Sequence, residues 1–253
     1  MDVGNTNIKA AVFDGKILVK RWRCATDPTM TSDQYGIIMM DLMHYHGIDA
    51  DRIEGIMISS VVPAINYTVE HMCRDYFHME PKVLGPGMKT GLNIRYENPR
   101  ELGSDRIANA VATAELYGGP CIFIDFGTAT TFGVISDSHE FMGGAIGPGL
   151  RMMNRALATG TAKLPEIELQ MPQMTIGRTT VTNIQSGILV GYIGMIENIV
   201  RHMKAEIDRP TKVIATGGMS YMIRDNSTVI DEINPDLTLV GLRIIYERNL
   251  NKQ

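Results

Sequence analysis

The pattern of apolar and polar positions divides the chain into alternating strands and helices. Near the start, two apolar runs, Ile8–Phe13 and Ile17–Arg23, flank Asp14-Gly15, a pair that is typical of a two-residue hairpin turn. Apolar residues then recur at helical spacing to about His46, with Thr31 or Ser32 as the N-cap. This helix is predicted to have an apolar face made of Ile37, Met40, Leu42 and Met43.

The rest of the first half continues this alternation. It predicts a buried strand, a helix that begins at a proline, a short strand, a loop rich in Gly, Pro and Asn, and another helix. In chain order these are Ile53–Val62, Pro63 to about His78, Pro81–Leu84, Gly85–Pro99 and a helix headed by Gly103-Ser104-Asp105-Arg106. Gly118-Gly119 is expected to end that last helix, because glycine is favoured just beyond a helix C-terminus.

The second half repeats the order of the first. We predict strands at Cys121–Asp125, Thr130–Ile135 and Glu140–Gly143, a glycine-rich loop at Gly143–Gly149, helices at Leu150–Leu157 and over most of Thr175–Pro210, and a strand at Lys212–Thr216 that ends in Gly217-Gly218. A short helix, a strand near Leu237–Val240 and a last helix, Leu242–Leu250, complete the prediction. Such a repeat describes a duplicated α/β architecture, with domains at residues 1–117 and 118–253.

One short motif occurs once in each half. Asp2-Val3-Gly4-Asn5-Thr6-Asn7 returns as Asp125-Phe126-Gly127-Thr128-Ala129-Thr130, and an apolar run follows each copy. Glycine after aspartate lets the backbone turn sharply and approach a ligand closely, and the polar residues beyond it supply hydrogen-bond donors. A single copy would be an ordinary turn, but two copies predict a phosphate-binding turn in each domain, facing a shared cleft.

Composition excludes several classes of protein. Hydrophobic residues make up 44% of the chain and charged residues 21%, as in globular rather than disordered proteins. The net charge of −4 argues against a nucleic-acid binder, and no apolar run approaches the roughly 20 residues that span a bilayer. Cys24, Cys73 and Cys121 are scattered, which indicates neither a zinc site nor a disulfide framework, so a cytoplasmic location is expected.

Several longer motifs, taken with the two turns, resemble one family. The chain is similar to the acetate and sugar kinase, Hsp70 and actin superfamily, and more closely to the type III pantothenate kinases. The segments that carry the resemblance are DVGNTNIK at Asp2–Lys9, NIRYENP at Asn93–Pro99, GSDR at Gly103–Arg106, DFGTATTF at Asp125–Phe132, GGAIGPG at Gly143–Gly149, TAKLP at Thr161–Pro165, IQSG at Ile184–Gly187, ATGG at Ala215–Gly218 and LRIIYERN at Leu242–Asn249. The resemblance implies two ribonuclease H-like, actin-like ATPase domains with mixed five-stranded sheets.

The resemblance also implies a set of ATP-binding residues. These are Asp2, Val3, Gly4, Asn5, Thr6, Asn7, Ile8 and Lys9 in the first turn, Thr128 in the second, and Gly217 with Gly218 beside the adenine. Asp2 would hold Mg²⁺ through water, and Asp125 would help bind a monovalent cation, K⁺ or NH₄⁺. From the residues alone, Lys9 could be a solvated strand position, and the glycine pair could be an ordinary strand-to-helix turn.

On the acceptor side, the resemblance implies that Asp105 is the catalytic base, because the primary alcohol of pantothenate must lose a proton as it attacks ATP. Gly103, Ser104 and Arg106 would bind pantothenate with it, Arg106 through the substrate carboxylate. Tyr96 would line the pocket, and Thr180 would reach the substrate of the partner subunit in a homodimer. The alternatives are a helix cap for Ser104 or Asp105, a surface salt bridge for Arg106, ring packing under a loop for Tyr96, and an N-cap for Thr180. Likewise, the helix after Thr180 is either the dimer interface or a buried core helix.

The expected function is phosphorylation of pantothenate by ATP to 4'-phosphopantothenate, the first step of coenzyme A synthesis. Other readings are a different small-alcohol or sugar kinase, and an ATP-binding regulator without turnover. Only Met1 precedes Asp2, whereas four apolar residues precede Asp125. Either the true start lies upstream, or the chain lacks most of its first strand. In the second case we expect Asp2 to lie at a frayed terminus, where chains are usually poorly ordered, and the chain as written to be compromised in nucleotide binding. Gly133, where the family usually has a carboxylate, and Ala158-Thr159-Gly160 before TAKLP also depart from the family pattern.

Overall fold

The computed structural model describes residues 1–250. Its strands are β1 (Asp2–Val3), β2 (Asn7–Asp14), β3 (Ile17–Ala25), β4 (Met57–Ser60), β5 (Lys82–Val83), β6 (Asn93–Ile94), β7 (Cys121–Phe126), β8 (Ala129–Ile135), β9 (Glu140–Pro148), β10 (Lys212–Gly217) and β11 (Glu232–Ile233). Its helices are α1 (Ser32–Tyr45), α2 (Asn66–Phe77), α3 (Ser104–Tyr117), α4 (Leu150–Gly160), α5 (Thr180–Gln185), α6 (Gly191–Ile207), α7 (Ser220–Arg224) and α8 (Leu237–Arg248). Short 3₁₀ turns lie at Ala50–Arg52, Pro63–Ile65 and Pro99–Glu101, and Ser186–Val190 is π-helical.

The chain forms two compact units. The first consists of Met1–Leu92, Glu97–Ala112 and the described chain from Asp236 onward, and the second of Asn93–Tyr96 and Thr113–Pro235. The division therefore falls inside α3, and α8 belongs to the first unit. The predicted domain boundary, after residue 117, differs from this division. The prediction that the chain consists of two duplicated domains stays a prediction.

The sheet of the first unit has the order β3-β2-β1-β4-β5, with β1 antiparallel to β2 and parallel to β4. One face packs on α1 and α2 through an apolar core that includes Ile8, Tyr35 and Met72. The other packs on α3 and α8, where Met57, Val111 and Ile245 are among the buried residues. Burial on both faces explains why β4 reads as an apolar run, since such strands lack the alternation of a half-exposed sheet.

The sheet of the second unit has the order β11-β10-β7-β8-β9-β6 among the described residues. It contains one strand more than the five predicted, because β6, from the predicted loop Gly85–Pro99, pairs with the edge of β9. Its core joins the apolar residues of β7 and β10 to those of α6, with Phe132, Leu189 and Ile196 fully buried. No helix within residues 1–250 is long and apolar enough to cross a membrane.

Several predicted boundaries are wrong, and each has a local cause. The predicted loop Gly143–Gly149 is largely strand, since β9 continues to Pro148, and a Cβ on Gly144 would overlap the carbonyl oxygen of Phe132 in the neighbouring strand. The predicted strand near Leu237–Val240 is the first turn of α8, because a short apolar run fits either element and the neighbouring helical pattern decides. In Thr175–Pro210, helix begins only at Thr180, after the N-cap Thr179.

The predicted hairpin and first helix need smaller changes. Strands β2 and β3 pair around Asp14-Gly15 as predicted, and Gly15 has a φ of 56°, which glycine adopts without strain. Thr31 caps α1 in a capping box with Gln34. The buried face of α1 is Tyr35, Gly36, Met39 and Met43, whereas Ile37 from the predicted face is 55% exposed. The run Ile53–Val62 shortens to β4, because Ile53–Ile56 does not pair as strand.

Candidate active site

The first phosphate-type turn, Asp2–Asn7, joins β1 to β2 and is closed by a hydrogen bond between its own backbone atoms. The amide of Gly4 donates to the carbonyl of Asn7 over 3.1 Å, and Thr26 donates its hydroxyl to the carbonyl of Gly4 over 2.6 Å. The amide of Thr26 also donates to Thr6 over 3.1 Å. The chain after β3 therefore holds the turn, while the side chains of Asn5 and Thr6 remain exposed.

The expectation that Asp2 frays is wrong. Its side chain is buried, with 6% of the residue exposed, and it pairs opposite Lys9 in β2 and Ser59 in β4. The amide of Ser59 donates to the carbonyl of Met1 over 2.9 Å, which extends the ladder by one residue. Two neighbouring strands thus order a strand of only two residues.

Serine hydroxyls connect this turn to the helix that carries Asp105. The Ser59 hydroxyl donates to Oδ1 of Asp2 over 3.2 Å and lies 3.0 Å from the hydroxyl of Ser104. Ser104 in turn donates to the carbonyl of Ser60 and accepts from its amide, each over 3.1 Å. Sequence reasoning missed Ser59 and Ser60. The available signal was a pair of hydroxyls at the end of an otherwise apolar strand.

The first turn of α3 presents Asp105 and its neighbours. Asp105 is half-buried, and its Oδ1 accepts a hydrogen bond from the amide of Arg106 over 2.8 Å. A Cβ on Gly103 would lie 2.5 Å from that same oxygen, so only glycine leaves room for this carboxylate position. Arg106 is only 6% exposed, which excludes the surface location considered for it. Lys9 contributes a second charge, with its Nζ 3.8 Å from Oδ2 of Asp2.

The second phosphate-type turn, Asp125–Thr130, joins β7 to β8, and β7 is a strand of six residues. The amide of Gly127 donates to the carbonyl of Ala129, two residues on, over 3.1 Å, whereas Gly4 in the first turn bonds the third residue on. Asp125 is half-buried at the end of an apolar strand, and Thr128 is exposed at the tip of the turn. Gly133 follows in β8, where a Cβ would overlap the ring of Phe123, so the core accounts for a glycine at this position.

Glycines from two other elements pack against this second turn. Gly217 ends β10 with a φ of 91°, and a Cβ there would lie 2.6 Å from the carbonyl oxygen of Phe126 and 2.7 Å from Oδ1 of Asp125. Gly149, before α4, would place a Cβ against the carbonyl of Thr128 and 2.7 Å from that of Gly127. Backbone therefore approaches the turn from both sides, which side chains larger than glycine would prevent.

Tyr96 and Thr180 belong to the second unit, whereas Gly103–Arg106 belong to the first. The Tyr96 ring stacks on Phe141 with centroids 6.3 Å apart, a contact that agrees with the ring-packing alternative, while its substrate-binding role stays a prediction. Thr180 is the exposed first residue of α5, and the N-cap is Thr179, which exchanges hydrogen bonds with Thr182. The alternative that Thr180 caps the helix is therefore wrong.

Each unit thus gathers its own part of the predicted site. Within the first unit, the turn Asp2–Lys9 is joined by contacts to the GSDR segment at Gly103–Arg106. Within the second, Asp125 and Thr128 lie beside Gly217, with Gly218 exposed next to it. Two phosphate-type turns and a carboxylate at a helix start are the parts that phosphoryl transfer requires, since that chemistry depends on positioning and on neutralising charge.

Comparison with known proteins decides the family. The family model for type III pantothenate kinase matches residues 1–202. A type III pantothenate kinase from Geobacillus sp. (strain WCH70) is 50% identical over 253 residues, which is 100% of this chain and 98% of the relative. The chain belongs to the type III pantothenate kinase family. It is an enzyme that uses ATP to phosphorylate pantothenate in coenzyme A biosynthesis.

Solved structures confirm the fold of this pantothenate kinase. A Baf family transcriptional activator from Campylobacter jejuni superposes with a TM-score of 0.61 at 19% identity, over 98% of this chain and 96% of the other. The activator of 2-hydroxyisocaproyl-CoA dehydratase from Clostridium difficile, with bound ADPNP, gives 0.53 at 11% identity, over 98% and 92%. At these identities the likeness shows the fold alone, which is the actin-like ATPase and sugar kinase fold predicted from the sequence.

Proposed function

We propose that Asp105 is the general base of the pantothenate kinase reaction. The primary alcohol oxygen of pantothenate forms a bond to the γ-phosphorus of ATP, the bond from that phosphorus to the β–γ bridging oxygen breaks, and ADP leaves. The alcohol proton passes to the carboxylate of Asp105, so charge and atoms balance. One observation supports this most strongly: Ser104, at the start of the helix of Asp105, bonds the backbone of Ser60, and the adjacent Ser59 bonds Asp2, so β4 connects that helix to the first phosphate turn.

The first turn, Asp2–Lys9, is proposed to hold the terminal phosphates of ATP. Its exposed residues, Asn5 and Thr6, are polar, and Lys9 adds a positive charge that is only about one-third exposed. Asp2 fits Mg²⁺ because it is a buried carboxylate fixed by Ser59, and Mg²⁺ prefers oxygen ligands and retained waters. When bound, the metal neutralises phosphate charge, and Asp2 would hold it through water.

The second turn is proposed to grip the phosphates through Thr128, with Gly217 and Gly218 beside the adenine. Asp125 is proposed to bind a monovalent cation, K⁺ or NH₄⁺. The chemistry of the donors supports this fit, because the carboxylate of Asp125 and the carbonyl of Phe126 both lie against Gly217 at the second turn. Oxygen donors suit a hard cation, which would balance phosphate charge there.

Pantothenate is proposed to contact Tyr96, Gly103, Ser104, Asp105 and Arg106, with the guanidinium of Arg106 meeting its carboxylate. The active form is proposed to be a homodimer in which Thr180 reaches the partner's substrate. Exposed apolar side chains near the start of that helical region support an interface: Ile176 is 80% exposed, Val181 42% and Val190 37%.

An ADP-release assay with and without pantothenate, in K⁺ or Na⁺, tests this proposal. Asp105→Asn should lower kcat about 100- to 10,000-fold, the range for loss of a general base, while the melting temperature and the KM for ATP stay close to wild type. Near-normal kcat would remove Asp105 as the base. Glu101→Gln is the matched control, since Glu101 is an exposed carboxylate in the preceding 3₁₀ turn and should not affect turnover. Wild-type protein without pantothenate-dependent ADP release would favour the regulator.

A further inference from the structure

A buried pair of hydroxyls lies behind the second turn. Tyr192 is 1% exposed and Thr130 fully buried, and their hydroxyl oxygens are 2.5 Å apart. Thr130 also bonds the carbonyl of Pro148 over 3.1 Å. Because a carbonyl only accepts, the proton of Thr130 is used there, and Tyr192 must donate to Thr130. The bonds therefore run in one direction, from Tyr192 through Thr130 to Pro148.

This relay ends on both strands that frame the turn. Thr130 is the second residue of β8, directly after the turn residues Gly127, Thr128 and Ala129. Pro148 is the last residue of β9 and pairs opposite Ala129. Gly149, the next residue, packs against the turn carbonyls. One tyrosine hydroxyl thus fixes the end of the turn and the strand beside it.

The backbone conformation before α6 sets the direction in which the Tyr192 side chain points. The π-helical segment Ser186–Val190 precedes α6, and such segments carry an extra residue that rotates the following helix face. Ser186 donates to the carbonyl of Thr175 over 2.6 Å, which fixes where the segment begins. The Tyr192 ring packs on Phe126, next to Asp125, with centroids 6.3 Å apart. Burial raises the pKa of Tyr192 to about 12, with the charge of Asp125 adding to it, so the hydroxyl remains a donor.

We propose that Tyr192 is a positioning residue for ATP, which acts through Thr130 to hold the second turn in its phosphate-binding shape. The inference rests on the proposed role of the Asp125–Thr131 turn in gripping ATP phosphates. It extends the site to α6, which contributes none of the residues implied by the family resemblance. Loss of the hydroxyl loosens the turn but leaves the pantothenate contacts in place, so the two substrates should respond differently.

Steady-state kinetics of the full chain test the proposal. Tyr192→Phe should raise the KM for ATP about three- to tenfold, as expected for one lost buried hydrogen bond, with the KM for pantothenate within about twofold of wild type. Thr130→Val should give the same split, and adding it to Tyr192→Phe should cause little further change, because both remove one relay. Thr130→Ser keeps the hydroxyl and should restore most of the ATP affinity.

A stability control separates positioning from packing. Ile196→Val removes one methyl group from a fully buried position one turn further along α6, so it should lower the melting temperature without changing the KM for ATP. An unchanged KM for ATP in Tyr192→Phe, or equal rises for both substrates, would overturn the inference. The KM for ATP of Thr128→Ala is measured for comparison with that of Tyr192→Phe. If Thr128→Ala raises the KM for ATP while Tyr192→Phe does not, only this inference fails; if neither does, the proposed turn function fails as well.

Discussion

The two turns share the Asp-x-Gly pattern but have different supports. The first follows β1, a strand of two residues, and depends on hydroxyls from Ser59 and Thr26. The second follows β7, a strand of six residues, and is packed by the backbone of Gly149 and Gly217. In each turn the glycine amide makes a backbone bond of 3.1 Å, from Gly4 to the third residue on and from Gly127 to the second residue on. The shared motif therefore places a turn after each strand, and its surroundings decide what stabilises it.

This difference predicts where each turn is sensitive. In the second, close backbone approach leaves no room for added atoms, so small changes of volume should be costly. In the first, the strand is short and side-chain hydrogen bonds substitute for a longer ladder, so loss of a polar group should matter more than added volume. Substitutions of comparable size in the two turns can separate these two kinds of support.

The largest effects should come from alanine at the packed glycines. In Gly217→Ala, the Cβ meets the carbonyl of Phe126 at 2.6 Å and the residue keeps a φ of 91°, so overpacking and backbone strain add. We expect the free energy of unfolding to fall by about 3 kcal/mol, with Gly149→Ala close behind, as measured by urea denaturation.

Gly4→Ala and Gly127→Ala are the matched controls inside the two turns. Their Cβ atoms would lie 3.2 Å from Asn7 and 3.3 Å from Ala129, at ordinary φ values, so each should cost about 1 kcal/mol or less. They should nevertheless weaken ATP binding, since a ligand must approach that backbone. A loss of stability at Gly127 as large as at Gly217 would contradict the idea that neighbouring elements, rather than the turn, set the packing.

Much of the fold could be predicted because local signals agreed with tertiary structure. The Asp14-Gly15 hairpin and the Thr31 cap are short-range features, and the structure has both. The predicted loop over Gly143–Gly149 failed because glycine there serves close packing between β8 and β9, a long-range demand that sequence alone cannot distinguish from a loop. The position of α8 in the first unit depends on the same kind of long-range contact.

Lengthening β1 should have an intermediate effect on the free energy of unfolding. A cavity of about 780 Å³ in the first unit lies beyond Met1, between Ala11–Asp14 of β2 and the segment Glu54–Met57. By the register Asp2 opposite Lys9, residues joined before Met1 would face Ala11–Asp14. An apolar tetrapeptide added there should pair on both sides and stabilise the chain by about 1–3 kcal/mol, since buried side chains outweigh the ordering of four residues.

Thermal unfolding and ATP titration would measure this gain. The melting temperature should rise by several degrees, and ATP affinity should increase if nucleotide binding is compromised as predicted from the sequence. A Gly-Ser-Gly-Ser extension of equal length is the control, because it offers backbone but no apolar surface. Equal melting temperatures for the two extensions would show that the cavity does not accept a strand, and unchanged ATP affinity would remove the prediction of compromised binding.

The candidate site was predictable only in part. The motif segments predicted Asp105 and both turns, because phosphoryl transfer requires particular residue types at the reacting atoms. Of the residues that support them, Ser59 and Tyr192 lie outside the motifs, and Thr130 lies inside one without a predicted role. A hydroxyl in a strand or helix is ordinary until pairing brings it beside its partner. Strand register and helix phase, rather than composition, give these residues their roles.

The smallest loss of stability should come from Ser59→Ala. This variant is informative when it is measured both in the wild-type chain and in the chain with the added tetrapeptide. The variant removes the hydroxyl that donates to Asp2 and contacts Ser104, so we expect a loss of about 1 kcal/mol and a few-fold rise in the KM for ATP. In the chain carrying the apolar tetrapeptide, a longer ladder supports Asp2, and the rise in KM should shrink. The same rise in both backgrounds would mean that Ser59 acts on the carboxylate alone, and that the length of β1 is not what distinguishes the two turns.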